Sequence, residues 1–406
     1  MASAHVFVVL AAFLVAAPQD SVREVSALVL VDAAGAVRRI PVAEAGLDGA
    51  GASEVLFARP VGLPAGQLPV GADVAWLSLH AGDRVRARVR GGAGDLLRVE
   101  LADGAEWVVS VERLASVEFE GRLRPEVASG LTPADSGDVL WWIREGGGID
   151  RVPGTLVEFG AAGASLESSF GVRSYPWSEV AALFVEALDE ESARRPRSAA
   201  RGLVEGAAAS VDLIDGGRLH GLLRGLDAAT CTLETAPGRS IDLPLWCVAE
   251  IAIDDGRARY LSELEPARAE EGSAFGDDLG LAWPHRRDRA VTGAPLRAGG
   301  RTWRRGLGVH APSRLTYALD GDWARLSGSV AVDDSVLRLA ARGSVVFRVL
   351  VDGEARFESG VLRGGDGPKA LDVDLTGARG LVLEVDMDGD HFVADRADWL
   401  GLLLSR

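Results

Sequence analysis

Few side chains in this 406-residue chain are placed to do chemistry, and several of them crowd into Trp303–Leu319, WRRGLGVHAPSRLTYAL. His310, one of only six histidines, lies there with Arg304 and Arg305 just upstream. An imidazole can donate to or accept from a hydroxyl, and a guanidinium can fork onto two vicinal oxygens. Trp303 and Trp323 are aromatic platforms on which the C–H face of a sugar ring could stack. The same stretch also suits a tight strand corner: Gly306-x-Gly308 enters it, and Pro312 and Ser313 leave it. No nucleophile and orienting acid accompany His310, so a catalytic role for this segment has no support.

A second group is acidic. The run VDMDGDHFVAD offers Asp386, Asp388, Asp390 and Asp395 as hard oxygen ligands of the kind calcium takes. No glutamate follows at the spacing of an EF-hand, so calcium site and solvated acidic turn both stay open. Asp333 and Asp334 form a smaller acidic spot. Cys231 and Cys247 are either a disulfide or two buried thiols; without CxxC or clustered histidines they do not make a zinc site. GxSxG, HExxH and P-loop patterns are absent.

The formal net charge of -16 argues against a general nucleic-acid partner, which needs a basic surface. From Val6 to Ala17 runs an apolar stretch too short to span a bilayer, ending in small residues. We read 1–18 as a signal peptide and expect an exported protein with no other transmembrane segment.

The elements that must carry these residues are strands. Three segments, beginning GADVAWLSLHAGD, SGDVLWWIREGGG and AASVDLIDGG, each read as strand, glycine-rich turn and strand. They end in VVSVERLASVEF, YPWSEVAALFV and LPLWCVAEIAI, in which Leu114, Val180 and Val248 correspond. This internal repeat predicts small barrels of the SH3 or Sm kind over 19–125, 126–196 and 197–257, the first with an extra hairpin that is a degenerate copy or an addition. The tryptophans of the repeats (Trp76, Trp107, Trp141, Trp142, Trp177, Trp246) suit core or inter-module packing better than sugar platforms.

Over 258–406 the pattern changes to longer alternating strands. Phe347, Val349 and Val351 share one face, as do Leu371, Val373 and Leu375, and Leu381, Leu383 and Val385. Separated by DG, TG and GG turns, they predict an antiparallel β-sandwich and an all-β chain. The ordered segments GLGVHAPSRLTYAL, VAVDDS, GSVVFRVLVDGE, SGVLRGGDGP, DLTGARGLVLEV and DRADW resemble the NPCBM domain, the carbohydrate-binding module of glycosyl hydrolase family 98. The resemblance implies a galactose-binding-like jelly roll that holds a carbohydrate or glycoconjugate. The family's closing motif carries a histidine where this chain has Arg396, which puts that contact in question.

Three functions follow as expectations. The first is a non-catalytic exported protein that binds carbohydrate, through Trp303, Arg304, Arg305, His310, Trp323 and Asp395. The second is a scaffold for cell-envelope proteins; the third, part of a glycoside hydrolase, lacks a pair of carboxylates set apart by their spacing.

Overall fold

The computed structural model describes residues 25–32, 36–47, 51–61, 71–101, 104–128, 130–188, 194–198, 200–272, 283–389 and 393–406. The expected signal peptide lies outside them, and no described helix is long and apolar enough to cross a membrane. Alternation of apolar and polar residues makes strands throughout. They begin with a short set, β1 (Ala27–Asp32), β2 (Val37–Pro41) and β3 (Val55–Val61).

The three repeats follow. The first is β4 (Val74–Leu79), β5 (Arg84–Ala93), β6 (Leu96–Leu101), β7 (Glu106–Ser110) and β8 (Leu114–Phe119). The second is β9 (Asp138–Ile143), β10 (Ile149–Phe159), β11 (Gly163–Ser168), β12 (Gly171–Pro176) and β13 (Val180–Phe184). The third is β14 (Ala208–Leu213), β15 (Arg218–Leu226), β16 (Thr230–Ala236), β17 (Arg239–Pro244) and β18 (Val248–Ile253).

In each repeat four strands pair in sequence, and the fifth returns to the first after a single 3₁₀ turn. The register of that closure is the same three times: Leu77 faces Val117, Leu140 faces Leu183 and Val211 faces Ile251. So is its irregularity, which skips the second residue of the closing strand. A β-bulge re-aims the strand that carries it.

β1, β2 and β3 obey the same rules. β3 follows the 3₁₀ turn Ala52–Glu54, pairs with β1 by setting Ala58 against Leu30, and skips Leu56. The opening segment is therefore an abbreviated fourth copy, keeping the first, second and fifth strands. β3 pairs with β18 of the third repeat, Ala58 against Ile251, while β8 pairs with β13, Val117 against Leu183. Both contacts run through the same position of the repeat, so each pair has a local two-fold relation. Each also covers a sheet edge that would otherwise be an open template.

One apolar core, including Leu28, Leu77, Val117, Leu183, Val211 and Ile251, runs through all four copies. Trp107 and Trp177 belong to it. Cys231 and Cys247 are free and buried, not bridged.

The C-terminal sandwich has two antiparallel sheets. Its elements are β19 (Ala258–Tyr260), β20 (Arg268–Glu271), β21 (Arg286–Arg287), β22 (Leu296–Ala298), β23 (Arg301–Trp303), β24 (Gly306–His310) and β25 (Ser313–Ala318). β26 (Arg325–Val332), β27 (Ser344–Val351), β28 (Glu354–Arg363), β29 (Lys369–Asp374), β30 (Gly380–Met387) and β31 (Arg396–Ser405) complete it. One sheet runs β21-β24-β31-β26-β29, with β19 also on β31, and the other runs β20-β25-β30-β27-β28. Between them Phe347 meets Trp399 edge-on, ring centres 5.0 Å apart. Val349, Val351, Leu371, Val373 and Leu383 line the same core, as the alternation predicts. The abbreviated copy touches this domain too: Phe57 of β3 packs on Tyr260, ring centres 5.5 Å apart.

Candidate functional site

At one end of the sandwich β24 stops and β31 starts side by side, which sets His310 against Arg396. The His310 imidazole is buried, and its Nδ1 donates to the Ala311 carbonyl at 2.8 Å. That bond places the proton on Nδ1. Burial lowers the imidazole's pKa, and nearby Arg396 pushes it the same way, so the ring is neutral at pH 7. The half-buried indole of Trp283 stacks on it, centres 5.6 Å apart and 20° from parallel. Beside this stack lies a second imidazole, His285, whose Nδ1 is 2.9 Å from Glu271 Oε1.

The acids behind this end hold loops. Asp395, 1% exposed, accepts from the Ser344 amide at 2.9 Å, and its own carbonyl accepts from the Ala311 amide at 3.0 Å. Asp333 takes the amides of Ser335 and Arg297, and Asp334 those of Gly299 and Gly300. Arg396 donates to Ser335 Oγ at 3.0 Å. Asp398 is buried next to Asp333, and desolvation followed by repulsion from that carboxylate raises its pKa well above the usual range.

The other sequence candidates lie elsewhere. Arg304 and Arg305 face the third repeat: Arg304 donates to the Leu213 carbonyl at 2.5 Å, and Arg305 pairs with Asp212 at 3.2 Å and Glu263 at 2.9 Å, above the Tyr260 ring. Their guanidiniums join the sandwich to the third repeat. Trp303 packs half-buried on Ala290, Leu296, Ala298 and Leu400, with Arg301 over its ring. Trp323 is buried under Arg406, on the side facing the repeats.

Among the described residues of the acidic run, two carboxylates pair with separate arginines. Asp386 pairs with Arg348 at 3.4 Å and Asp388 with Arg363 at 3.0 Å, while Asp390 lies outside the described residues. Among the described residues no group of three or more His, Cys, Asp or Glu side chains is arranged to hold a metal ion.

Residues 257–405 match the family model described as NPCBM/NEW2 domain. The C-terminal sandwich is an NPCBM/NEW2 domain. The chain is 33% identical over 107 residues to "Putative endo-alpha-N-acetylgalactosaminidase" of Renibacterium salmoninarum, covering 26% of this chain and 7% of that protein. It is 34% identical over 122 residues to "Alpha-1,3-galactosidase B" of Akkermansia muciniphila, covering 29% and 15%. The chain thus spans only a small part of the length of these curated relatives. Among solved structures it is similar to CBM51 from Clostridium perfringens GH95 in complex with methyl-galactose, at 26% identity and a TM-score of 0.32, over 36% of this chain and 99% of that one.

Within the NPCBM/NEW2 domain, sequence reasoning missed Trp283, His285 and Glu271. Trp283 precedes His310 by a turn and three strands, so no local spacing links them. The one available signal was WPH, an aromatic and a histidine flanking a proline just ahead of the first matched motif.

Proposed function

We propose that the NPCBM/NEW2 domain is a non-catalytic sugar-binding module whose binding end carries Trp283, His310 and Arg396, within an exported multi-module protein. The stack of Trp283 on a neutral histidine carries this reading. A partly exposed indole offers a face to C–H groups, while imidazole, guanidinium and the His285–Glu271 pair supply donors and acceptors for hydroxyls. The N-acetylgalactosaminidase and galactosidase names of the two relatives support a galactoside as the first ligand to try. The reading gives calcium no role and assigns no catalytic step.

Titration calorimetry of the full chain with methyl-galactoside tests it. Saturable binding that weakens at least about tenfold, the equivalent of ~1.4 kcal/mol, in Trp283→Ala is expected. Absence of saturable heat, or a W283A affinity equal to wild type, rejects it.

A second reading, a scaffold for cell-envelope proteins, has one observation in its favour. The outer strand of the second repeat, β12, pairs only with β11 among the described residues and carries Val172 at 62% exposure beside Phe170 at 99%. An open apolar edge of this kind can accept a partner strand. Pull-down by wild type but not by a Val172→Lys chain is the result this reading requires.

A further inference from the structure

Between the third repeat and the NPCBM/NEW2 domain lies an open cleft of about 1220 Å³, bounded on a third side by the segment 194–198. Seven arginines line it against four carboxylates, in a chain whose formal net charge is -16. Most of these guanidiniums are engaged: Arg218 with Asp212 at 2.6 Å, Arg287 with Glu265 at 2.7 Å, Arg406 with Asp320 at 3.0 Å. Arg195 is tied by its Nε to the Ala81 carbonyl at 2.9 Å, which pins the segment to the first repeat. Arg194 and Arg197 differ. Both line the cleft, both are exposed, and neither has an ion-pair or hydrogen-bond partner among the described residues. Across the cleft Arg259 has only a long contact, 3.9 Å, with Glu263.

We propose that this cleft is a second saccharide subsite, specific for glycans bearing carboxylate or sulfate groups. That the ligand is a saccharide rests on the sugar-binding reading of the neighbouring domain; that it is anionic rests on the cleft. Arg194 and Arg197, held on either side of Pro196, present two forks to one negatively charged substituent. Asp212, Glu265 and Asp320 already neutralise three of the cleft arginines, so the attraction for an anion rests on Arg194 and Arg197, whose charges no described side chain offsets. The mixed Arg–carboxylate walls supply donors and acceptors for the intervening hydroxyls.

Affinity electrophoresis of the full chain tests this, through gels containing polygalacturonate, dextran sulfate or neutral dextran. Retardation by at least one anionic polymer and none by dextran is expected; comparing the two anionic gels tells carboxylate from sulfate recognition. Arg194→Ala with Arg197→Ala, both exposed positions, should weaken retardation about tenfold. Trp283→Ala should leave it unchanged, while galactoside binding behaves in the opposite way, so the two sites fail independently. No retardation in either anionic gel, an R194A/R197A chain retarded like wild type, or equal retardation by single-stranded DNA overturns the proposal.

Discussion

Arg305 of the sandwich and Asp212 of the third repeat pair across their domain junction, Nε to Oδ2 at 3.2 Å, with side chains only 4% and 6% exposed. Burial alone would raise the Asp212 carboxyl, but Arg305 and then Arg218 outweigh it and hold it below its ordinary range. Removing one member of a buried pair strands the other, at a cost of about 3–5 kcal/mol; with Arg218 still present, Arg305→Ala should sit at the lower end. In calorimetry the repeats and the sandwich should then melt separately. Arg305→Met combined with Asp212→Leu should regain most of the loss, since neither charge is left unpaired. Because folding lowers the Asp212 pKa, its contribution is complete above the unfolded value of about 3.9 and is lost as pH falls through the folded one. Wild type should therefore lose stability on acidification more steeply than Asp212→Asn.

Asp398 has the opposite sign. Its folded pKa is raised, so it opposes folding increasingly as pH climbs from about 3.9, where the unfolded carboxyl ionises, to the folded value. Asp398→Asn keeps the shape and removes the titrating carboxyl. It should raise the melting temperature at pH 8 and leave it nearly unchanged at pH 3.5. An equal shift at both pH values would mean that Asp398 is ionised in the folded protein.

The strands of the sandwich were legible because alternation is local: Phe347, Val349 and Val351 announce their shared face wherever the sheet lies. The repeat was legible because Leu114, Val180 and Val248 recur at near-constant spacing. Whether the opening hairpin was a degenerate copy or an addition stayed open in the sequence, since loss of two strands removes that spacing and its partner β18 is far away in the chain. The arginines show a different limit. Side-chain type says that Arg304 and Arg305 seek oxygens, but only the fold shows that these belong to Leu213 and Asp212. Trp283 failed to stand out for the same reason, its meaning coming entirely from His310.

Burial, then the charge of Asp242, pushes the Cys231 thiol up to about 12. The thiolate is the reactive form, so native Cys231 should be inert. At pH 8 a disulfide-exchange reagent should leave it unmodified in the folded chain and release two thiols per chain in denaturant. Fewer than two in denaturant without reductant would reveal a bridge that the structure does not contain.

Gly343 packs against the Ala394–Asp395 backbone at the His310 end of the sandwich. Its φ is +63°, and a Cβ there would stand 2.1 Å from the Ala394 carbonyl oxygen and 3.2 Å from Asp395 Oδ1. The obstacle is backbone, which cannot swing aside as a long side chain would. Left-handed geometry alone costs a non-glycine residue about 1–3 kcal/mol, and the overlap adds to it. Gly343→Ala should lower stability by at least ~2 kcal/mol in denaturant unfolding. Since Ala394–Arg396 must shift to admit the methyl, galactoside binding should fall as well. Gly353→Ala is the control: its φ is +88° but nothing lies within 4 Å of the added Cβ. It should cost stability through backbone strain alone and leave binding intact.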